Sequence, residues 1–281
     1  MKEGVVMTDQ HGQGSCGVVN DNELRNQPSQ EQSDSPTPFE SRKWKLSARL
    51  EPFDSFWQTP KDIEKGYRSF FQYYKHNYLP HLPSNRQSRI LVISCGPGYL
   101  VKLLNDQGYH NVLGIDSDPE KIEYARKRNL PCEVHEAFPY LQDAVEAFDV
   151  IIPEQELNHL TLNEILVFLK LCWRSLRPNG TLIVYGLNGA NPLVGSENLA
   201  HNIDHFNTFT EYSLRQILVY SGFANIKVFP LKLYVFWTNP LNYVGLVTTT
   251  ILEAILRVVF LMYGKSVKIL TKKIAAVCRK F

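Results

Sequence analysis

Three residues in the second half of the chain are of types that move protons. His159 follows the run "FDVIIP", and Asp204 and His205 stand together in "HNIDHFNTF". Histidine has an unperturbed pKa of about 6.5, so it is the natural base for taking a proton from a hydroxyl near neutral pH. An acid next to a histidine suits an orienting role, although neighbours in sequence need not face one another. His201, one helical turn earlier, is a weaker candidate. The plainer alternatives are a capping or packing role for His159 and a backbone-bonded loop histidine for His205. Glu154 and Glu156 are further candidates for gripping a substrate, with solvated loop carboxylates as the plainer reading.

A second group has the spacing of a cofactor site. In "ILVISCGPGYLVKLL" an apolar run meets Gly96 and Gly98 and then an amphipathic pattern. Glycine allows a tight turn and close approach of backbone to a ligand, and the following helix start offers unpaired N–H groups. Asp116 closes the next apolar run, "VLGID". In doubly wound sheets an acid at that point accepts hydrogen bonds from ribose hydroxyls. An ordinary strand–helix turn followed by a capping acid is the alternative. The dinucleotide pattern G-x-G-x-x-G/A fits in neither register: Val101 stands at the third position counted from Gly96, and Ser94 at the first position of the earlier register.

Both groups require a framework of alternating strands and helices. Apolar runs at 89–94, 111–116, 132–136, 148–153 and 178–186 predict strands, and helical patterns at 99–108, 118–129 and 162–176 fall between them. This alternation predicts βαβ units and a mostly parallel sheet. The continuous runs "ILVI" and "VII" suit strands buried on both faces. A helix over 210–223, with Thr210 as N-cap and Gly222 as stop, leads to strands over 224–237 and 267–280. The expected architecture is a three-layer, doubly wound, mostly parallel seven-stranded α/β sheet, with a helical insertion before the last strand. Residues 1–38 have no aromatic residue and are rich in polar residues, glycine and proline, so that tail is expected to be disordered. Residues 39–88 read as a helical lead-in or lid, and 89–281 as the main domain. Trp57, Phe70, Phe71, Tyr73 and Tyr74 of the lead-in are candidates to wall a pocket, with a core role as the commoner alternative.

Composition narrows the function. The 281 residues are 44% hydrophobic, enough for a sizeable core, and the net charge of +2 does not suggest nucleic acid. No basic stripe interleaved with aromatics stands out. The five cysteines are scattered with no CxxC, which predicts a reducing compartment, no disulfide framework and no metal site. The N-terminus lacks the apolar core of a signal peptide, so a cytoplasmic location is expected.

The stretches "ILVISCGPGYLVKLL", "VLGIDSDPEKIEYAR", "FDVIIPEQELNHL", "LRPNGTLIVYGLNG" and "HFNTFTEYSLRQILVYSGF" occur in one order and spacing. On these the region from about residue 54 onward resembles the class I S-adenosylmethionine-dependent methyltransferases, a Rossmann-like fold. The "LRPNG" turn separates it from dehydrogenases. The resemblance implies S-adenosyl-L-methionine as cofactor. It places Ser94, Gly96 and Gly98 against the methionine portion, and Asp116 with the adjoining Ser117 at the ribose. Glu136 and Ala137 fall at the adenine ring, and Gln155 near the methionine amino group. The chain departs from the family at Val92, where an acid is usual, and at Ser94, where glycine is usual. The implied activity is methyl transfer, chiefly to oxygen, on a small molecule, glycan or lipid-linked acceptor, with His159, His205 and Asp204 as catalytic candidates. A non-catalytic cofactor-binding protein of the same fold is the first alternative, and an NAD-dependent oxidoreductase the second.

Residues 239–264 pose a separate question. They are almost wholly apolar with helical spacing, and Asn242, Thr249, Glu253 and Arg257 form one stripe. A helix apolar over most of its circumference is buried, paired or in lipid. Packing in a core or a homodimer is the leading expectation, a membrane interface the next and a membrane span the last, because two charges make spanning costly. Beyond Glu253 there is no acid, while Arg257, Lys265, Lys268, Lys272, Lys273, Arg279 and Lys280 follow, which suits an anionic surface.

Overall fold

The strand Ile90–Ile93 (β1) is buried at every position, as its unbroken "ILVI" run requires of a strand covered on both faces. In the computed structural model, which describes residues 60–154, 157–232 and 241–281, it lies inside a seven-stranded sheet. The other strands are β2 (Val112–Asp116), β3 (Cys132–Val134), β4 (Phe148–Pro153), β5 (Leu176–Leu187), β6 (Ala224–Pro230) and β7 (Lys273–Arg279), in the order β3-β2-β1-β4-β5-β7-β6. The strands β1 to β5 run parallel, and β7 is antiparallel to both its neighbours, β5 and β6. Chain direction therefore reverses its march across the sheet between β1 and β4. The crevice at the carboxyl ends of those two strands is where such sheets bind ligands.

The described residues form eight α-helices: α1 (Pro60–Asn77), α2 (Tyr99–Asp106), α3 (Pro119–Arg126), α4 (Ala137–Asp143), α5 (Leu162–Ser175), α6 (Gly195–Ala200), α7 (Glu211–Tyr220) and α8 (Leu241–Met262). Local chemistry sets their starts. Asp118 caps α3 by accepting the Glu120 and Lys121 N–H groups, and Thr161 and Glu164 form a reciprocal capping box on α5. Thr210 caps α7 as expected, and Gly222 follows its end at φ 90°. Neither α4 nor α6 was anticipated; each is under two turns, too short for a periodic signal.

Several boundaries differ from those expected. The strand expected from 178 begins at Leu176, so "LRPNG" lies within β5 rather than before it; Asn179 takes φ 62° and its N–H reaches Lys280 O at 2.9 Å. The strand expected to run to 237 ends at Pro230, with residues 233–237 outside the described ones. The last strand starts at Lys273 rather than 267. Residues 267–272 instead present carbonyls to side chains: Asn188 Nδ2 bonds to Ile269 O and Thr271 O at 3.0 and 2.8 Å.

The lead-in helix α1 packs directly on α2. Tyr99 donates to Ile63 O at 3.0 Å, its ring stacks on Phe70 at 5.3 Å, and the Tyr67 hydroxyl donates to Pro97 O in the glycine turn. Gly66 permits this approach, since a Cβ there would stand 2.4 Å from the Tyr99 ring. Val92 is fully buried in the core of this layer, so its type is set by packing.

Candidate functional site

The turn after β1 uses three residues with positive φ: Ser94 at 55°, Gly96 at 53° and Gly98 at 83°. Ser94 thus occupies a conformation that favours glycine, at a cost of about 1 kcal/mol or more. Asp116 holds the turn from the neighbouring strand. One carboxylate oxygen accepts the Gly96 N–H at 2.8 Å and the other the Asp118 N–H at 2.9 Å. The two groups singled out twenty positions apart are therefore one unit. A Cβ added at Gly96 would meet nothing within 4 Å, whereas one at Gly98 would lie 2.9 Å from Leu130 Cδ1. Gly98 is needed for packing inside the protein; Gly96 leaves its backbone open to a ligand.

The remaining predicted cofactor residues sit along the same strand ends. Ser117 is exposed just beyond β2. Glu136 is the exposed N-cap residue of α4 and Ala137 its first residue, and the His135 N–H donates to Asp116 O at 2.9 Å. That bond brings the third strand end beside the acid. Gln155 lies outside the described residues.

The acid found at the β1–β4 crevice is Glu154. Its N–H donates to Ile93 O at 2.7 Å, at the root of the glycine turn. Tyr74 of α1 donates to its carboxylate, and Tyr185 of β5 donates to its carbonyl. Burial pushes the Glu154 carboxyl up to about 7, opposed by the Tyr74 hydrogen bond and the Lys273 charge. The Tyr74 hydroxyl is itself pushed well above its usual range, first by burial and then by Glu154, so it remains a donor. The sequence marks Glu154 only as one of several loop acids, because its tyrosine partners lie 80 and 31 residues away.

The three catalytic candidates converge. His159, on a short helical turn after β4, has Nδ1 2.8 Å from Asp204 Oδ2, and its ring meets that of His205 edge-on at 4.6 Å. The His205 Nδ1 lies 2.5 Å from Asn198 O. A carbonyl only accepts, so that nitrogen carries a proton. The Phe206 N–H donates to Asn158 O at 2.7 Å and Asn207 Nδ2 to Leu160 O at 2.6 Å, which sews the loop after β5 to the end of β4. His201 does not join; it is exposed and pairs with Glu197 at 2.9 Å.

Around this cluster several buried polar atoms make no hydrogen bond among the described residues: Asp204 Oδ1, both side-chain atoms of Asn158 and Nδ2 of Asn198. Buried polar atoms are ordinarily satisfied, so this concentration marks a place built for a polar partner. Asn158 and Asn198 carry no sequence signal, since only the fold buries them. His159, Asp204 and His205 also offer donor atoms all within 4.8 Å of one another.

Residues 90–180 match the family described as a methyltransferase domain, and they carry the glycine turn, Asp116, Glu154 and His159. The chain carries a class I, S-adenosylmethionine-dependent methyltransferase domain. The domain's cofactor is S-adenosylmethionine, which decides against the nicotinamide alternative. A ubiquinone biosynthesis O-methyltransferase of Bradyrhizobium diazoefficiens is 32% identical over 104 residues, covering 36% of this chain and 40% of the relative. A mitochondrial ubiquinone biosynthesis O-methyltransferase of Rattus norvegicus is 28% identical over 112 residues, 36% of this chain and 31% of the relative. The chain thus spans well under half the length of these relatives. Among solved structures, an S-adenosylmethionine-dependent methyltransferase of Archaeoglobus fulgidus superposes with a TM-score of 0.56 at 18% identity, over 78% of this chain and 98% of that one. A possible histamine N-methyltransferase of Thermotoga maritima gives 0.51 at 17%, over 79% and 96%. At such identities these two show the fold alone.

Proposed function

We propose that the protein transfers a methyl group from S-adenosylmethionine to an oxygen of a small, lipid-linked acceptor. The observation that carries this reading is the joining of Gly96 and Asp116 into one open cradle, with the His159–Asp204 pair at the end of the neighbouring strand. When bound, the cofactor supplies an electrophilic methyl on a sulfonium. The open side of Gly96 fits the methionine portion, Asp116 retains lone pairs for ribose hydroxyls, and Glu154, when ionised, is the acid placed to meet an amino group.

The chain's own part in the reaction is positioning and proton removal. Pairing of Nδ1 with Asp204 leaves His159 Nε2 as the basic nitrogen and steadies the ring as it gains charge. Nε2 of His159 would take the proton of the acceptor hydroxyl, leaving that oxygen as the nucleophile for the methyl group that the cofactor would supply. Asn158 and Asn198 are placed to orient acceptor oxygens. In favour of a lipid-linked acceptor is an apolar groove of about 570 Å³, whose lining includes Leu193 and Val194 from the loop leading to Asp204. The names of the two curated relatives point to the same class of acceptor.

The test is transfer of labelled methyl from S-adenosylmethionine to catechols with and without an isoprenyl chain, beside calorimetry with S-adenosylhomocysteine. The expected result is binding that Asp116→Ala abolishes, and turnover favouring the prenylated acceptor. Binding without turnover on any hydroxyl acceptor would return the protein to the non-catalytic alternative.

A further inference from the structure

We infer that α8 seats the protein on an anionic lipid bilayer, lying in the interface rather than crossing it. The inference rests on the helix and its surroundings, and stands whether or not the proposed methyl transfer is right. Of the sequence-level expectations for this segment, packing in a core is overturned. Residues Tyr243–Met262 are long and apolar enough to cross a membrane, and none of that stretch is buried within the described protein. Val244, Val247, Ile251, Ile255, Val258 and Leu261 are each 54–69% exposed. Water does not tolerate an apolar surface of this length without a partner.

The polar stripe shows which way the helix faces. Glu253 and Arg257 pair at 3.1 Å, and the Arg257 Nε–H donates to Lys268 O at 3.2 Å. Lys268 adjoins Ile269 and Leu270, which are buried against the sheet domain. The two charges that argue against lipid are therefore turned toward the protein, beside Leu246, Leu252 and Leu256 in the groove, while the face from Val244 to Leu261 points away. Such a division is that of an interfacial helix.

Topology argues against spanning. The insertion leaves from β6 and returns to β7 at neighbouring points, with Pro230 paired to Ile274 and the Leu231 N–H donating to Lys273 O at 3.2 Å. The helix is about 33 Å long at 1.5 Å per residue. Were it to cross, residues 263–272 would have to cross back. That segment has no helix or strand before β7 and contains Lys265, Lys268 and Lys272, so its backbone and charges would be unsatisfied in hydrocarbon.

Charge selects lipid over a second copy of the chain. Lys265, Lys268 and Lys272 are exposed beside the helix, and no acid follows Glu253 in the sequence. Self-association through this face would bring like charges together, whereas an anionic bilayer attracts all three.

Flotation of the full chain with vesicles tests this. Vesicles of phosphatidylcholine with about one third phosphatidylglycerol are expected to carry the protein, pure phosphatidylcholine much less, and added salt to weaken the binding. Charge reversal at Lys265, Lys268 and Lys272 is expected to lower partitioning by at least roughly fivefold per lysine. The double variant Ile251→Glu, Val258→Glu is expected to abolish flotation. Both variants should keep the thermal transition and S-adenosylhomocysteine affinity of the parent, which separates loss of docking from loss of fold. Failure of the parent to float at low salt would overturn the inference. So would sedimentation showing a dimer that the Ile251→Glu, Val258→Glu variant dissolves while flotation is absent.

Discussion

His159 and Asp204 are 45 residues apart in the chain, yet Nδ1 of one and Oδ2 of the other stand 2.8 Å apart. The contact exists because the loop after β5 is bonded back onto the end of β4 through Phe206 and Asn158. Such a pair gives a base with a fixed tautomer, and its two members should fail differently. His159→Ala is expected to lower kcat by about 10²- to 10⁴-fold with S-adenosylhomocysteine affinity unchanged. Asp204→Asn should cost less, again with S-adenosylhomocysteine affinity unchanged. Single-turnover transfer beside calorimetry reads both; equal loss of cofactor affinity would place the pair in cofactor binding instead.

The same cluster provides a test with metal. Proton transfer by His159 needs no cation, although the donor atoms of His159, Asp204 and His205 are compact enough to hold one. Turnover is expected to survive dialysis against EDTA. Loss of activity restored by a divalent ion would assign the cluster to coordinating the acceptor oxygen, with the His159→Ala variant then losing the ion as well.

Glu154 ties pH to stability and to cofactor binding in opposite directions. Its carboxyl sits at about 7 in the folded chain against an ordinary 4.5, so the folded state holds a proton that the unfolded state releases. Stability should therefore fall as pH rises from about 4.5 through 7. Affinity for S-adenosylmethionine should rise over the same window, as the acid ionises to meet the amino group. Thermal melts and calorimetry at a series of pH values check this, and Glu154→Gln should flatten both profiles. An affinity that follows stability downward would remove Glu154 from the cofactor site.

The two glycines of the turn predict separable defects. Gly98→Ala meets Leu130 and forces φ 83° on a residue with a side chain, so it should destabilise by about 1–3 kcal/mol. Gly96→Ala points into open space but takes φ 53°, so it should cost only about 1–2 kcal/mol of stability while abolishing cofactor binding. Thermal melts and calorimetry on the two variants distinguish these outcomes.

Lys280 gives a prediction away from the site. Its ammonium is buried over the Trp173 ring, 3.0 Å from Glu146 and 2.7 Å from Leu176 O. Lys280→Met should destabilise by about 1–3 kcal/mol through lost hydrogen bonds, with cofactor affinity unchanged. Chemical denaturation measures it.

The sequence by itself determined the sheet, the glycine turn and the acid after β2. Each is written in contiguous residues: unbroken apolar runs for buried strands, small residues where the backbone must turn, and a carboxylate at a strand end. It also brought His159, Asp204 and His205 forward by residue type. Only the tertiary structure decided that these three meet, that Glu154 is the acid enclosed by Tyr74 and Tyr185, and that side-chain atoms of Asn158 and Asn198 are buried without a hydrogen bond among the described residues. Those facts depend on segments brought together across the sheet, and no local period records them. The apolar insertion shows the same limit. Periodicity reads the helical segment 239–264 equally well in a core, a dimer or lipid, because composition fixes how much surface is apolar and not what covers it. The fold decided which way the helix faces, by anchoring Arg257 to Lys268 and leaving Val244, Val247, Ile251, Ile255, Val258 and Leu261 outside.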